Sequence, residues 1–165
     1  MFEMVKKFFN KLFFMSEEEY HKTLRHYIDK FELKKKWSFY VVDELPPTKT
    51  NYPNKEEVMA FTDLGSLSVV FKRKMFKQPS FLVRGYIRHE IRHCQQMEVI
   101  QQVLREKYGE LASFYAAVVF TNDMIGGYNK SIMEQDAWMT FFGFHYNINK
   151  VVDRIIKRSL SFITE

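Results

Sequence analysis

Apolar positions along the chain change period from helical to alternating and back, and those changes mark out the elements. Over residues 1–15, Met1, Val5, Phe8, Leu12 and Met15 fall at helical spacing, with Lys6, Lys7 and Lys11 on the other side. This predicts an amphipathic N-terminal helix that packs on the domain or lies weakly on a membrane surface. Ser16 followed by Glu19 is a capping-box pattern, which predicts a helix from there to about Lys36. Trp37 to Asp43 is rich in aromatic and β-branched residues and predicts a strand, and Val58 to Asp63 predicts a second. Leu67, Val69 and Phe71 alternate with Ser68, Val70 and Lys72 as a third strand, and Asp63-Leu64-Gly65-Ser66 supplies hairpin turn chemistry before it. Pro46 to Glu57 is loop-like.

From Pro79 onward the period becomes helical again. A long helix is expected over about Phe81 to Tyr108, with Gly109 as its stop signal. Further helices are expected over Glu110 to Ile125, broken by Gly126-Gly127, then over Lys130 to Tyr146. A last amphipathic helix carries Ile148, Val152, Ile155 and Ile163. The order predicts an α+β fold, mostly helical, with a small antiparallel sheet preceding one long helix, in a single domain over 1–165.

Composition narrows the classes. At 165 residues, with 46% hydrophobic and 27% charged positions, the chain can bury a core and is not disordered as a whole. Its 17 Phe and 9 Tyr predict an aromatic core. The longest unbroken apolar run, Phe114 to Phe120, is far too short to span a membrane. The lysine-interrupted N-terminus does not resemble a signal peptide. A single cysteine, Cys94, excludes an internal disulfide and points to a reducing compartment, such as a cytoplasm. The net charge of +5 permits contact with nucleic acid or anionic lipid without demanding it. Cys94 itself is expected to be a small buried hydrophobe, and His21 and His26 surface residues.

The chemistry is concentrated in Arg88-His89-Glu90-Ile91-Arg92-His93, an H-E-x-x-H pattern inside the long predicted helix. Positions i and i+4 share a helix face, so the two imidazoles can point at one ion. Glu90 flanks that ion without needing to bind it and is the candidate general base. Zinc suits such a site, and Glu134, 41 residues after His93 on a later helix, is the candidate third ligand. Asp136 is a candidate outer partner of a ligand imidazole. Gln96 lies one turn beyond His93 on the same face and either orients a ligand or substrate or only hydrogen-bonds in the core. Arg88 and Arg92 lie on a different face and are expected to pair with acids. Tyr128, His145 and Tyr146 are candidate donors to an oxyanion, with nothing in their spacing to choose among them.

HEIRHCQQ followed by EQDA resembles the minimal gluzincin-type metallopeptidases, the short zincin-like HExxH domains of bacteria and phages. Their pattern is similar to H-E-x-x-H-x-x-Q with a later E-x-E-A-D. His89, Glu90, His93, Gln96, Glu134 and Ala137 match it, and Asp136 stands at its second acidic position. Trp138 stands where the pattern has its final Asp. The resemblance covers about residues 87–138. It implies a small sheet above the active-site helix whose edge strand pairs with an extended peptide, with Leu67 to Arg73 among the candidates for that strand. Lys72-Arg73-Lys74 would then lie near the cleft, or would only keep a strand end soluble.

The expected function is that of a zinc-dependent metalloprotease acting on peptide or protein substrates. His89, His93 and Glu134 would hold Zn2+, with Glu90 as base. Two other classes compete: a zincin-like module that binds a partner and cuts nothing, and a basic protein acting on nucleic acid or a membrane surface through residues 1–15 and Lys34-Lys35-Lys36. The last ranks lowest, because no nucleic-acid motif is present.

Overall fold

The computed structural model describes residues 14–45, 58–63, 65–125, 127 and 130–161. The predicted N-terminal helix, apart from Phe14 and Met15, the Pro46 to Glu57 loop and Tyr128 lie outside them. The fold is α+β and mostly helical, with one three-stranded sheet. Its elements are α1 (Glu17–Lys30), β1 (Ser38–Val42), β2 (Ala60–Asp63), β3 (Ser68–Lys72), α2 (Ser80–Tyr108), α3 (Ala112–Met124), α4 (Ile132–Phe141) and α5 (Ile148–Leu160). No helix among the described residues is long and apolar enough to cross a membrane.

The sheet order is β1-β3-β2, and the sheet is mixed rather than antiparallel. β2 and β3 form the expected antiparallel hairpin, with Thr62 opposite Val69. In its turn, Asp63 accepts from the Gly65 N–H at 2.9 Å and from the Ser66 hydroxyl at 2.6 Å. β1 joins the other side of β3 in parallel register, Phe39 opposite Val69. The two parallel strands are separated in sequence by residues 43–67, which include β2. Leu67 to Arg73, considered above as an edge, is therefore the central strand. All five residues of β3 are buried.

α1 ends six residues sooner than expected. The Glu32 N–H reaches Asp29 O and the Leu33 N–H reaches Ile28 O, with Glu32 in the left-handed region at φ 54°. This is a Schellman stop built without glycine. What holds the chain out of the helix is a buried carboxylate from α2. Glu98 accepts from the Lys34 and Lys35 backbone N–H groups at 2.7 and 2.9 Å, and from the Trp37 indole at 2.7 Å. The Lys35 ammonium goes to Gln101, so the lysine run at 34–36 is partly built into this corner.

α4 is also shorter than the predicted Lys130 to Tyr146. Gly143, at φ 93°, donates to Thr140 O while the Phe144 N–H reaches Met139 O, again a Schellman stop. Both ends of the long α2 are as expected, with the Gly109 N–H bonded to Arg105 O.

α2 is the spine. Val83, Ile87, Ile91 and Cys94 recur at helical spacing and pack with Leu24, Phe31, Trp37, Val69, Phe71 and Met75. Further along, Ile100 and Leu104 pack with Ala116 and Val119 of α3 and Val152 and Ile155 of α5. One helix thus serves two apolar clusters, and a third side remains for α4. There α2 offers Gly85, where an added Cβ would come within 2.6 Å of the Phe141 ring. The missing side chain lets the end of α4 approach.

Replacing Glu98 with Ala leaves two backbone donors and an indole N–H without their acceptor. A loss of about 3 kcal/mol of stability is expected. Urea denaturation checks this, and a loss under about 1 kcal/mol would show that the α1–β1 corner is held by packing alone.

Candidate metal centre

α4 runs antiparallel to α2. Met133 meets Gln96, Glu134 meets His93 and His89, Asp136 meets Arg92 and Gln96, Trp138 meets His89, and Phe141 meets Gly85. Two caps fix where α4 begins. The Ser131 hydroxyl oxygen accepts from the Glu134 N–H at 3.1 Å. Asp123, fully buried at the end of α3, accepts from the Ser131 hydroxyl and from the Ile132 and Met133 N–H groups. A carboxylate at a helix N-terminus satisfies otherwise orphaned donors and meets the positive end of the helix dipole. Asp123 and Ser131 therefore set the position of Glu134.

The structure brings together the three predicted ligand residues. The His89 and His93 Nε2 atoms are 3.1 Å apart, and the Glu134 carboxylate oxygens lie 3.5 and 3.4 Å from them. One ligand atom from each residue fits within 4.8 Å of the others, and all three residues are buried. Glu134 Oε2 is buried without a hydrogen-bond partner. Two converging imidazole nitrogens and a carboxylate oxygen lacking a donor are a donor set that suits a divalent transition metal, zinc above all.

The electrostatics agree. Burial pushes the His93 pKa down, but the charge of Glu134 and its hydrogen bond outweigh this and raise it to about 9. Burial likewise favours the neutral form of Glu134, and the charge of His93 overrides it, holding the carboxyl well below the usual range. In metal-free protein, a proton on His93 compensates the buried carboxylate.

Glu90, directly after His89, is buried. The Thr62 hydroxyl of β2 donates to its Oε2 at 2.6 Å. This ties the candidate base to a strand at the edge of the sheet among the described residues. Cys94 is fully buried behind it, and its thiol pKa is pushed well up, first by burial and then by the charges of Glu90 and Glu98.

Asp136 does not touch a ligand histidine. It takes Arg92 in a two-pronged pair at 2.6 and 3.0 Å and accepts from Gln96 Nε2 at 2.7 Å. Gln96 in turn contacts His93 Nδ1 at 2.8 Å. Arg92 pairs with an acid as expected. Arg88 instead donates to the Phe141 carbonyl and lies over the Tyr27 ring. His21 and His26 are exposed as expected. Lys72 is buried and faces Glu44, and Arg73 pairs with Asp43.

Of the oxyanion candidates, His145 packs on Phe31, and Tyr146 meets Arg92 through its backbone carbonyl. Neither contact involves the three-residue cluster. Thr62 and Asp123 were not singled out from sequence. Nothing local marks Thr62, whereas Asp123 precedes a Gly-Gly break and Ser131, the pattern of an acid that could cap the next helix.

Comparison of the chain with protein-family models, with curated protein sequences and with solved structures gave no match.

The raised His93 pKa gives a stability profile with a definite sign. The contribution of the His93–Glu134 pair to metal-free protein is fully present below about pH 6.5, the ordinary His value, and is lost as pH rises through about 9. The melting temperature of metal-free protein should therefore fall across this window. His93→Ala should flatten the slope, and a wild-type profile already flat there would contradict the assignment.

Proposed function

We propose that the chain is a zinc-dependent peptide hydrolase of the minimal gluzincin type. One observation carries the reading: a buried His89, His93 and Glu134 cluster beside a buried Glu90 carboxylate that is itself held by the strand at the sheet's edge. His89 Nε2, His93 Nε2 and a Glu134 oxygen would hold the ion. When bound, zinc supplies Lewis acidity toward a water and toward an amide carbonyl, at neutral pH and without a covalent intermediate.

The rest is the work of this chain's residues. Glu90 takes the proton of the attacking water on a carboxylate oxygen and returns it to the leaving amine nitrogen as the C–N bond breaks. The Thr62 hydrogen bond engages Oε2 and restricts the Glu90 rotamer. β3 is paired on both sides, so an extended substrate would add to the side of β2 that is unpaired among the described residues, the strand that carries Thr62. Backbone pairing of this kind gives affinity with little side-chain preference.

A second reading rests on Trp138. Its ring lies 4.7 Å from the His89 ring, and His89 Nδ1 is buried without a hydrogen-bond partner. A ligand imidazole normally donates that N–H to a carboxylate or carbonyl, which raises its basicity. The absence of such a partner favours a weaker metal site and leaves room for a non-catalytic binding module.

Elemental analysis and a mixed-peptide digestion distinguish the two. Wild-type protein should hold about one zinc per chain and cleave peptides. Glu90→Gln should keep the metal and lose hydrolysis at least about a hundredfold. Zinc without hydrolysis in the wild type would favour the binding module, and undiminished hydrolysis by Glu90→Gln would remove the proposed mechanism.

A further inference from the structure

The two histidines are not equivalent, and the difference is written in the hydrogen-bond network behind them. The Gln96 amide nitrogen lies 3.0 Å from the Met133 carbonyl and 2.7 Å from Asp136 Oδ2. Both partners are acceptors. Met133 offers a backbone carbonyl, and Asp136 is paired through both its oxygens with Arg92. The amide orientation is thereby fixed: the NH2 group faces Met133 and Asp136, and Oε1 faces His93. A carbonyl oxygen only accepts, so the proton in the 2.8 Å contact belongs to His93 Nδ1. In a neutral ring with that proton placed, Nε2 is a bare lone pair directed at Glu134 and His89.

His89 has no such support. Its Nε2 lies 3.1 Å from His93 Nε2. Two lone pairs facing one another at that distance would repel, so with both rings neutral His89 carries its proton on Nε2 and donates to His93. Its buried, unpartnered Nδ1 is then a bare acceptor, which costs less to leave unmade than a bare donor. To ligate an ion through Nε2, His89 must move its proton to Nδ1 and leave an unpartnered buried N–H against the Trp138 ring.

We propose that Gln96 and Asp136 are positioning residues that pre-set His93, and not His89, as the anchoring metal ligand, by holding a proton on His93 Nδ1. Arg92 is the brace of this relay. Its Nε and Nη2 fix Asp136, while Nη1 takes Gln95 and Nη2 also takes the Tyr146 carbonyl. The anchoring role rests on the metal-site reading above, whereas the tautomer assignment follows from the network alone.

The experiment has two readouts. Ring nitrogen NMR of 15N-labelled, metal-free wild-type protein, titrated upward until the spectra no longer change, should show His93 as the Nδ1–H tautomer and His89 as Nε2–H. Zinc affinity, measured by competition with a chromogenic chelator, should fall about 10- to 100-fold in Gln96→Leu and in Asp136→Asn. His93→Ala should lose at least about tenfold more affinity than His89→Ala. An Nε2–H tautomer at His93 in a wild-type chain that binds zinc would overturn this proposal and leave the metal site standing. So would a folded Gln96→Leu protein with wild-type affinity, or equal losses in the two histidine variants. A wild-type chain that takes up no zinc would remove the metal site itself and the anchoring role with it, and the tautomer measurement needs no variant to fold.

Discussion

A buried ion pair sets the register of the two helices that make the site. Arg92 on α2 and Asp136 on α4 are almost wholly shielded from water, and Gln95, the Tyr146 carbonyl and Gln96 add hydrogen bonds to them. Burying two charges costs much of what their attraction returns, and such a pair is better at specifying an arrangement than at adding stability. Here the arrangement specified is the axial position of α4. With Asp136 on Arg92, Glu134 arrives over His89 and His93, and Phe141 reaches the gap at Gly85. A slip of one turn would move Glu134 by about 5 Å and strand both charges.

Carboxylates do this organising work throughout the molecule. Glu98 holds the corner between α1 and β1, Asp123 caps α4, and Asp136 joins the two site helices. Each is buried, and each accepts several hydrogen bonds from backbone or side-chain donors. The aromatic and aliphatic clusters supply bulk burial on either side of α2 but are non-directional. The directional terms decide where the chain turns and which residues face the centre.

The centre itself is not arranged for the stability of the metal-free chain. Two imidazoles and a carboxylate are gathered in a shielded space, one histidine has no partner for its second nitrogen, and one carboxylate oxygen has none either. A proton shared into the cluster relieves part of this, which is why the His93 pKa rises and that of Glu134 falls. Groups held together at such cost are characteristic of functional sites. The Trp138 ring lies against His89.

What the sequence determined by itself is local. Helical spacing, the Ser16 cap and the Gly109 stop predicted α2 and the start of α1, because periodicity and capping act over a few residues. The same locality made His89, Glu90 and His93 legible as one chemical unit, since i and i+4 on any helix share a face. Gly143 could have marked the end of α4 and was overlooked. The end of α1 could not be read, because its left-handed residue is Glu32 and the carboxylate that holds the turn comes from Glu98, in another helix. Only tertiary structure decided that β1 lies parallel to β3, that β3 is the central strand, and that Thr62 holds Glu90. It also decided that Asp136 bonds Gln96, which in turn contacts His93. Each of these depends on contacts between residues distant in sequence, whose geometry is set by how the helices and strands pack, and local pattern carries no record of that.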